Sequence, residues 1–127
     1  MAIPSGGGSE VLTSTYIHAQ SNTETAFRWD GTPATTGTAS YTVPTHYIIS
    51  VLNINFTDMG NAEETLRLWI DDGSNLIFLL YDQTIPAHGT FMYNDRLILK
   101  AGHKLVLDLG TEGNVDAYVN YIVQDWS

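Results

Sequence analysis

Residues 63–110 read EETLRLWIDDGSNLIFLLYDQTIPAHGTFMYNDRLILKAGHKLVLDLG, a series of short apolar runs separated by turn signals. In the first run, Leu66, Leu68 and Ile70 recur at every second position. That period is typical of a β-strand with one buried face. The turn signal Ala101-Gly102 separates the last two runs, Arg96–Lys100 and Lys104–Leu109. The stretch therefore predicts several strands joined by tight turns, which is the core of a β-sandwich.

The run Leu76–Tyr81 is apolar at every position, which predicts a central strand covered on both faces. It follows the turn Asp71–Ser74, in which Gly73 can take a positive φ. The period-two positions of the most apolar runs predict the buried core. These positions are Leu68, Ile70, Leu79, Leu97, Leu99, Leu105, Leu107 and Val119.

The rest of the chain has the same character, and no segment shows the three-to-four residue period of a helix. Residues 30–40 are small and polar, which predicts a long surface loop. Further strands are predicted at 11–17, 24–29, 47–56 and 115–123. Eight to ten strands at spacings of roughly eight to twelve residues indicate a sandwich or a barrel, and we expect an all-β sandwich of the jelly-roll type.

A chain of 127 residues predicts one domain that can bury a core without disulfides or metal. We expect residues 1–9 to form a flexible N-terminal arm and residues 10–127 to form a single β-sandwich domain. Ile3 and Pro4 give the arm an apolar tip. The arm is therefore either a frayed terminus or a segment that becomes ordered against a neighbouring subunit.

The charge balance excludes two classes of partner. The net charge is −9, and the five Lys and Arg residues are scattered along the chain. Nucleic-acid binding requires clustered cations, and anionic membrane surfaces attract them, so neither partner is expected. The chain has no cysteine, and its first residues lack the pattern of a signal peptide.

No constellation of catalytic residues is visible. The adjacent pairs Glu63-Glu64 and Asp71-Asp72 point to opposite faces of a strand, so we interpret them as solvated turn and rim residues. The four histidines do not have metal-ligand spacing. The acidic segment 58–64 is the one candidate calcium loop, but it lacks EF-hand spacing. We expect no enzyme activity, no catalytic or cofactor-binding residue, no metal and no cofactor.

The aromatic residues are candidates for contact with a partner. Three tryptophans and seven tyrosines could form a sugar-stacking platform, a core or a subunit interface. Trp69 is out of phase with Leu68, which assigns it either to a second buried layer or to a partner contact. The candidate partner-contact residues are Ile3, Pro4, Trp69 and Trp126.

Two stretches resemble small structural proteins of tailed bacteriophages. One is PSGGGSEVL followed by Tyr16-Ile17-His18; the other is LWIDDGSNLIFLLYDQTIPAHGTFMYNDRLILKAGHKL, residues 68–105. Within the second stretch, a hairpin precedes an Ile-Pro-Ala-x-Gly-Thr turn and a strand pair that contains Ala-Gly. The resemblance implies a virion protein, assembled in the host cytoplasm, that is similar to capsid decoration (cement) proteins. Such proteins are homotrimers that bind and stabilise the major capsid protein shell.

Two alternatives remain open. One is a phage tail, adaptor or fibre-associated β-module. The other is a carbohydrate-binding β-sandwich that uses exposed aromatic residues. Copy number in the particle separates the first alternative from a decoration protein, and ligand binding separates the second.

Overall fold

The computed structural model describes residues 9–20, 23–34, 36–111 and 113–125. These residues form nine strands and no helix, which confirms the all-β prediction. None of them belongs to a helix that could cross a membrane. The strands are β1 (Ser9–Ala19), β2 (Thr25–Ala26), β3 (Tyr47–Asp58), β4 (Glu64–Asp71), β5 (Leu76–Ile85), β6 (Thr90–Tyr93), β7 (Leu97–Leu99), β8 (Lys104–Leu109) and β9 (Val115–Asp125).

The strands form two antiparallel sheets. Sheet A has the order β1-β9-β3, with β6 and β7 sharing the far side of β3, and sheet B has the order β2-β8-β4-β5. The first four strands alternate between the two sheets along the chain, as they do in a jelly roll. The prediction of a jelly-roll sandwich is confirmed. The proposed division into an arm and a single domain stays a prediction, and residues 1–8 lie outside the described part.

The core lies between the two sheets. Trp29 and Tyr121 are among its largest fully buried side chains, with ring centroids 4.9 Å apart in an edge-to-face contact. Five of the eight predicted core residues are buried: Leu68, Leu99, Leu105, Leu107 and Val119. The other three, Ile70, Leu79 and Leu97, are half-buried and pack against the core.

The prediction of a central strand at Leu76–Tyr81 is wrong. The segment opens β5, which among the described strands pairs only with β4 and forms an edge of sheet B. Four of its six side chains are exposed: Leu76 at 54%, Ile77 at 49%, Phe78 at 41% and Tyr81 at 62%. An uninterrupted apolar run suits a strand covered on both faces, but it also suits an edge strand with an apolar outer face.

The loop after β2 covers part of the free edge of β1. The Thr15 hydroxyl donates to the Thr32 carbonyl at 2.7 Å, and the Ala34 amide donates to the Tyr16 carbonyl at 3.4 Å. Further along, the Thr36 hydroxyl donates to the His18 carbonyl at 2.6 Å. These bonds cover the second half of β1. Among the residues that the structure describes, this loop forms no such hydrogen bonds with residues 9–14.

Candidate interaction surfaces

Three aromatic rings form a ladder across the outer face of sheet B. The rings of Trp69 and Phe78 have centroids 5.2 Å apart, and those of Phe78 and Tyr81 are also 5.2 Å apart. Trp69 is opposite Phe78 in the pairing of β4 with β5, so both side chains lie on the same face. Their exposure rises outwards, from 5% at Trp69 to 41% at Phe78 and 62% at Tyr81. The aromatic ladder therefore ends in solvent at the free edge of the sheet.

The inner end of the aromatic ladder is held by the chain itself. Trp69 forms a small buried cluster with Ala26 and Val106, against which the half-buried Tyr41 packs. The guanidinium of Arg28 lies 4.9 Å from the centroid of the Tyr41 ring. This second buried layer fixes the orientation of the indole ring. It also provides a rigid base for the two exposed rings.

A bulge places Tyr81 over a cation. Leu66 pairs with Gln83 and Leu68 with Leu80, so two residues of β5, Tyr81 and Asp82, are opposite the single residue Arg67. Asp82 has a φ of 55°, a left-handed conformation that this bulge requires. The guanidinium of Arg67 lies 4.1 Å from the centroid of the Tyr81 ring. An aromatic ring stacked on Arg is typical of residues that dominate protein interfaces.

Arg67 also forms an ion pair. Its Nε donates to Asp82 Oδ1 at 2.7 Å and its Nη2 donates to Asp82 Oδ2 at 3.3 Å. The hydrogen bond from Arg67 lowers the pKa of Asp82, so the pair stays charged well below neutral pH. The cation under the aromatic ladder is thus neutralised locally.

A small polar cleft of about 210 Å³ lies beside this pair and is lined by Arg67, Asp82, Asp108, Leu109 and Gly110. Burial raises the pKa of Asp108, and the nearby charge of Glu24 raises it further. Oδ1 of Asp108 is buried and accepts no hydrogen bond from the described residues. A carboxylate, an arginine and a second acid make this cleft a hydrogen-bonding rim beside an apolar surface.

A second cleft, of about 230 Å³, lies on the outer face of sheet A. It is lined by Tyr16, His18, Asp116 and Tyr118. His18 Nδ1 contacts the carboxylate of Asp116 directly opposite on β9. Both tyrosines are exposed, at 37% and 45%, and Tyr118 donates a hydrogen bond to Ser14 Oγ at 2.8 Å.

One acidic residue predicted to be a solvated rim residue is buried: Glu64 is 5% exposed. Asp58, from the candidate calcium loop, is also buried, at 1% exposed. Glu64 Oε1 accepts hydrogen bonds from the Thr111 amide and hydroxyl, both at 3.1 Å. Asp58 Oδ1 accepts from the Gly60 amide at 2.8 Å. Among the residues the structure describes, no group of three or more His, Asp or Glu side chains could hold a metal ion.

The predicted partner-contact residues fall into two groups. Ile3, Pro4 and Trp126 lie outside the described residues. Trp69 is on the outer face of its sheet and is covered by the chain's own side chains, so its role as a partner contact stays a prediction. The sequence analysis missed Phe78 and Tyr81 because it assigned them to a central strand. Trp29 and Trp69 do not contribute to an exposed sugar-stacking platform, because they are only 1% and 5% exposed.

No family model matches the sequence, and no curated protein matches it. Solved structures do match. A chain in the acidic stable capsid structure of Helicobacter pylori bacteriophage KHP30 has a TM-score of 0.50 and 10% identity, covering 94% of each chain. At this identity the likeness shows the fold alone.

Two non-viral structures have similar scores. The globular domain of zebrafish complement 1qA has a TM-score of 0.49 and 15% identity, covering 94% of this chain and 95% of that one. The Drosophila NLP core, whose structure concerns pentamer formation and histone binding, has a TM-score of 0.48 and 9% identity, covering 87% and 96%. Further viral chains, including a pentameric phage capsid protein, are also among the matches.

Proposed function

We propose that this chain is a non-enzymatic structural protein of a tailed bacteriophage virion. More specifically, it is a capsid decoration protein that binds the major capsid protein as a homo-oligomer, a trimer by preference. The observation that carries the proposal is a jelly roll that matches a phage capsid chain over 94% of both chains. The phage-like motifs in residues 4–18 and 68–105 support the same assignment.

The surface of the molecule supports a role in binding protein rather than small molecules. The exposed rings of the aromatic ladder, together with the exposed Leu76 and Ile77 of the same strand, give β5 an apolar edge next to the ion pair Arg67–Asp82. Aromatic residues and arginine, surrounded by polar groups, are typical of the centre of a protein interface. We assign this edge to the capsid shell. Several modest contacts suffice for attachment when the subunits of one oligomer bind together.

The test is attachment to purified heads of the phage that encodes this chain, prepared without it. Phe78→Ser and Tyr81→Ser should each raise the Kd for heads at least about tenfold, since aromatic hot-spot residues contribute about 2 kcal/mol or more. Fluorescently labelled protein and sedimentation of the heads measure the bound fraction.

Met59→Ser is the matched control for this test. Met59 is 43% exposed, close to Phe78 at 41%, but lies in the loop between β3 and β4. It should bind as wild type does. If the two ladder variants also bind as wild type while remaining folded, the aromatic ladder is not the shell contact.

A carbohydrate-binding role is the second candidate, favoured by the cleft between Tyr16 and Tyr118. Two exposed rings beside a carboxylate are groups that can stack on and hydrogen-bond a sugar. Titration with host-surface glycans, followed by the NMR signals of the two tyrosine rings, tests it. Ring signals that do not shift at millimolar glycan would reject this candidate. The remaining alternative, a tail or adaptor module, differs from a decoration protein in its copy number in the particle.

A further inference from the structure

The outer face of sheet A carries a row of residues whose two ends are apolar and exposed. Leu12 pairs with Ile122, Ile122 with Ser50, and Ser50 with Ile98, so these four side chains share one face across β1, β9, β3 and β7. Leu12 at one end is 69% exposed and Ile98 at the other end is 52% exposed. Each is a large apolar side chain at an opposite margin of the same sheet.

The neighbouring row ends in opposite charges. Glu10 pairs with Gln124, and Gln124 pairs with Ile48. Because Ile49 pairs with Leu99, the next residue, Lys100, lies beside Ile48 at the far end of this row. Gln124 Nε2 donates to Glu10 Oε1 at 2.8 Å, which holds the carboxylate at the β1 margin. Lys100 is exposed and forms no ion pair with a described residue. At the β1 margin, the two rows therefore end in an apolar and an acidic residue, Leu12 and Glu10. At the β7 margin, the same rows end in an apolar and a basic residue, Ile98 and Lys100.

Both margins have an open side. The loop that covers β1 reaches residues 15–18 and leaves Glu10 and Leu12 uncovered. On the other side, β7 pairs with β3 and, within the part of the chain that the structure describes, with no second strand. An edge strand with exposed apolar residues is a template for contact with another strand.

Strand direction is compatible with a contact between these margins. Because each neighbouring pair in β1-β9-β3-β7 is antiparallel, β7 runs opposite to β1. A second copy, rotated about an axis along the strands, places its β1 antiparallel to β7 of the first. In that arrangement Leu12 meets Ile98 and Glu10 meets Lys100 in one register.

We propose that copies of this chain associate head to tail, with the β1 margin of one copy against the β7 margin of the next. The occupant of each margin is a second copy because the chain itself carries the complementary charge in the complementary row. The net charge of −9 on each copy opposes any association. Contact between an acidic and a basic margin offsets part of this repulsion, whereas β1 against β1 brings two acidic margins together and adds to it. A head-to-tail interface of this kind closes into a ring when its rotation is a whole fraction of a turn.

This inference deepens the homo-oligomer part of the proposed function and is tested without any capsid. Glu10→Lys and Lys100→Glu each place two like charges at every contact, and the double variant restores opposite charges. Sedimentation velocity and native mass spectrometry at low salt measure the dissociation constant of the oligomer. We expect each single change to raise it about tenfold or more, and the double variant to return to within about threefold of wild type.

Mixing the two single variants gives a second readout. The Glu10→Lys variant is basic at both margins, and the Lys100→Glu variant is acidic at both. Each β1 margin in the mixture therefore finds an oppositely charged β7 margin on a copy of the other variant. Mixed dimers and open chains of alternating variants should form at concentrations at which each variant alone stays dissociated, whereas a closed ring of three would keep one like-charge contact.

The apolar row has its own matched pair of variants. Ile98→Ser should also dissociate the oligomer, because it removes an apolar side chain from the contact. Met59→Ser, which changes an exposed side chain (43% against 52%) in the loop between β3 and β4, should not.

Three results would overturn the contact: a wild-type chain that is monomeric at about 100 μM, a double variant no better than the single ones, or dissociation by Met59→Ser alone. A chain that is monomeric but still binds heads would reject this interface and leave the shell assignment standing. An oligomer that behaves as expected but does not bind heads would do the reverse.

Discussion

At the scale of single residues, Asp30 organises the loop that lies over β1. Its Oδ1 accepts a hydrogen bond from the Thr32 amide at 3.0 Å, and its Oδ2 accepts one from Arg28 Nη2 at 3.0 Å. The adjacent Gly31, at a φ of 82°, donates its amide to the Tyr121 hydroxyl at 3.1 Å. These bonds connect the loop to the core. They also hold it against the covered half of β1.

The pKa of Asp30 predicts a pH dependence of stability. Burial raises this pKa, but the hydrogen bonds from the Thr32 hydroxyl, Arg28 and the Thr32 amide outweigh burial and lower it to about 2. Since an unfolded Asp has a pKa of about 3.9, the stabilisation is complete above pH 4 and is lost as the pH falls towards 2. The side chain is 39% exposed, so solvent screening limits the contribution to no more than about 1 kcal/mol.

We therefore expect Asp30→Asn to lower the free energy of unfolding by up to about 1 kcal/mol at pH 7. The difference from wild type should shrink between pH 4 and pH 2. Urea unfolding at a series of pH values measures it, and Thr32→Val, which removes one donor, should show a smaller loss of the same kind. A loss that is unchanged at pH 2.5 would show that the charge of Asp30 is not its cause.

Residue patterns in the sequence predicted which apolar side chains face inwards. They did not predict which polar side chains are buried. The alternation of Leu66, Leu68 and Ile70 identified the core face of β4 because period two is a local property of a strand. Glu64 begins the same strand and also points inwards, but its hydrogen-bond partner Thr111 is 47 residues away. That contact depends on the pairing of β4 with β8 in sheet B, which the alternation within one strand does not predict.

At the scale of elements, β5 carries the exposed apolar side chains at the edge of sheet B. Its first six residues are apolar, and its bulge at Asp82 turns Tyr81 onto Arg67. The sequence predicted a strand here, together with the positive φ of Gly73 in the preceding turn, which is 97°. It could not predict the position of that strand in the sheet, because an apolar run carries no information about its neighbours. Edge position is set by the jelly-roll topology as a whole.

Hydrogen exchange tests the edge position of β5 directly. Amides of β5 that point away from β4 lack a partner among the described strands and should exchange orders of magnitude faster than those of β3 and β9, which are paired on both sides. Exchange in the free protein, measured residue by residue with NMR, gives the comparison. Uniform protection along β5 equal to that of β3 would mean that another strand covers this edge.

At the scale of the whole molecule, the fold separates three surfaces by place and by chemistry. The aromatic ladder lies at the free edge of sheet B, and the acidic and basic margins lie at the two edges of sheet A. A subunit that uses its sheet A margins for copies of itself keeps the ladder free for a different protein. Such a division suits a protein that forms an oligomer and then attaches it to a shell at several points.

The sequence predicted the all-β sandwich, but it did not indicate which exposed residues lie in one row across sheet A. Apolar periodicity and turn residues are local, so they identified strands and the core. The rows that join Leu12 to Ile98 and Glu10 to Lys100 involve four strands far apart in the chain. Only the register of sheet A brings them into line.

We propose that this chain is a shell protein present in many copies on the phage head. The most direct test is quantitative mass spectrometry of purified virions, combined with a cryo-EM map of the same particles. We predict a copy number comparable to that of the major capsid protein, with jelly-roll density on the outside of the head. Absence of the chain from virions, or a handful of copies confined to the tail, would contradict the account.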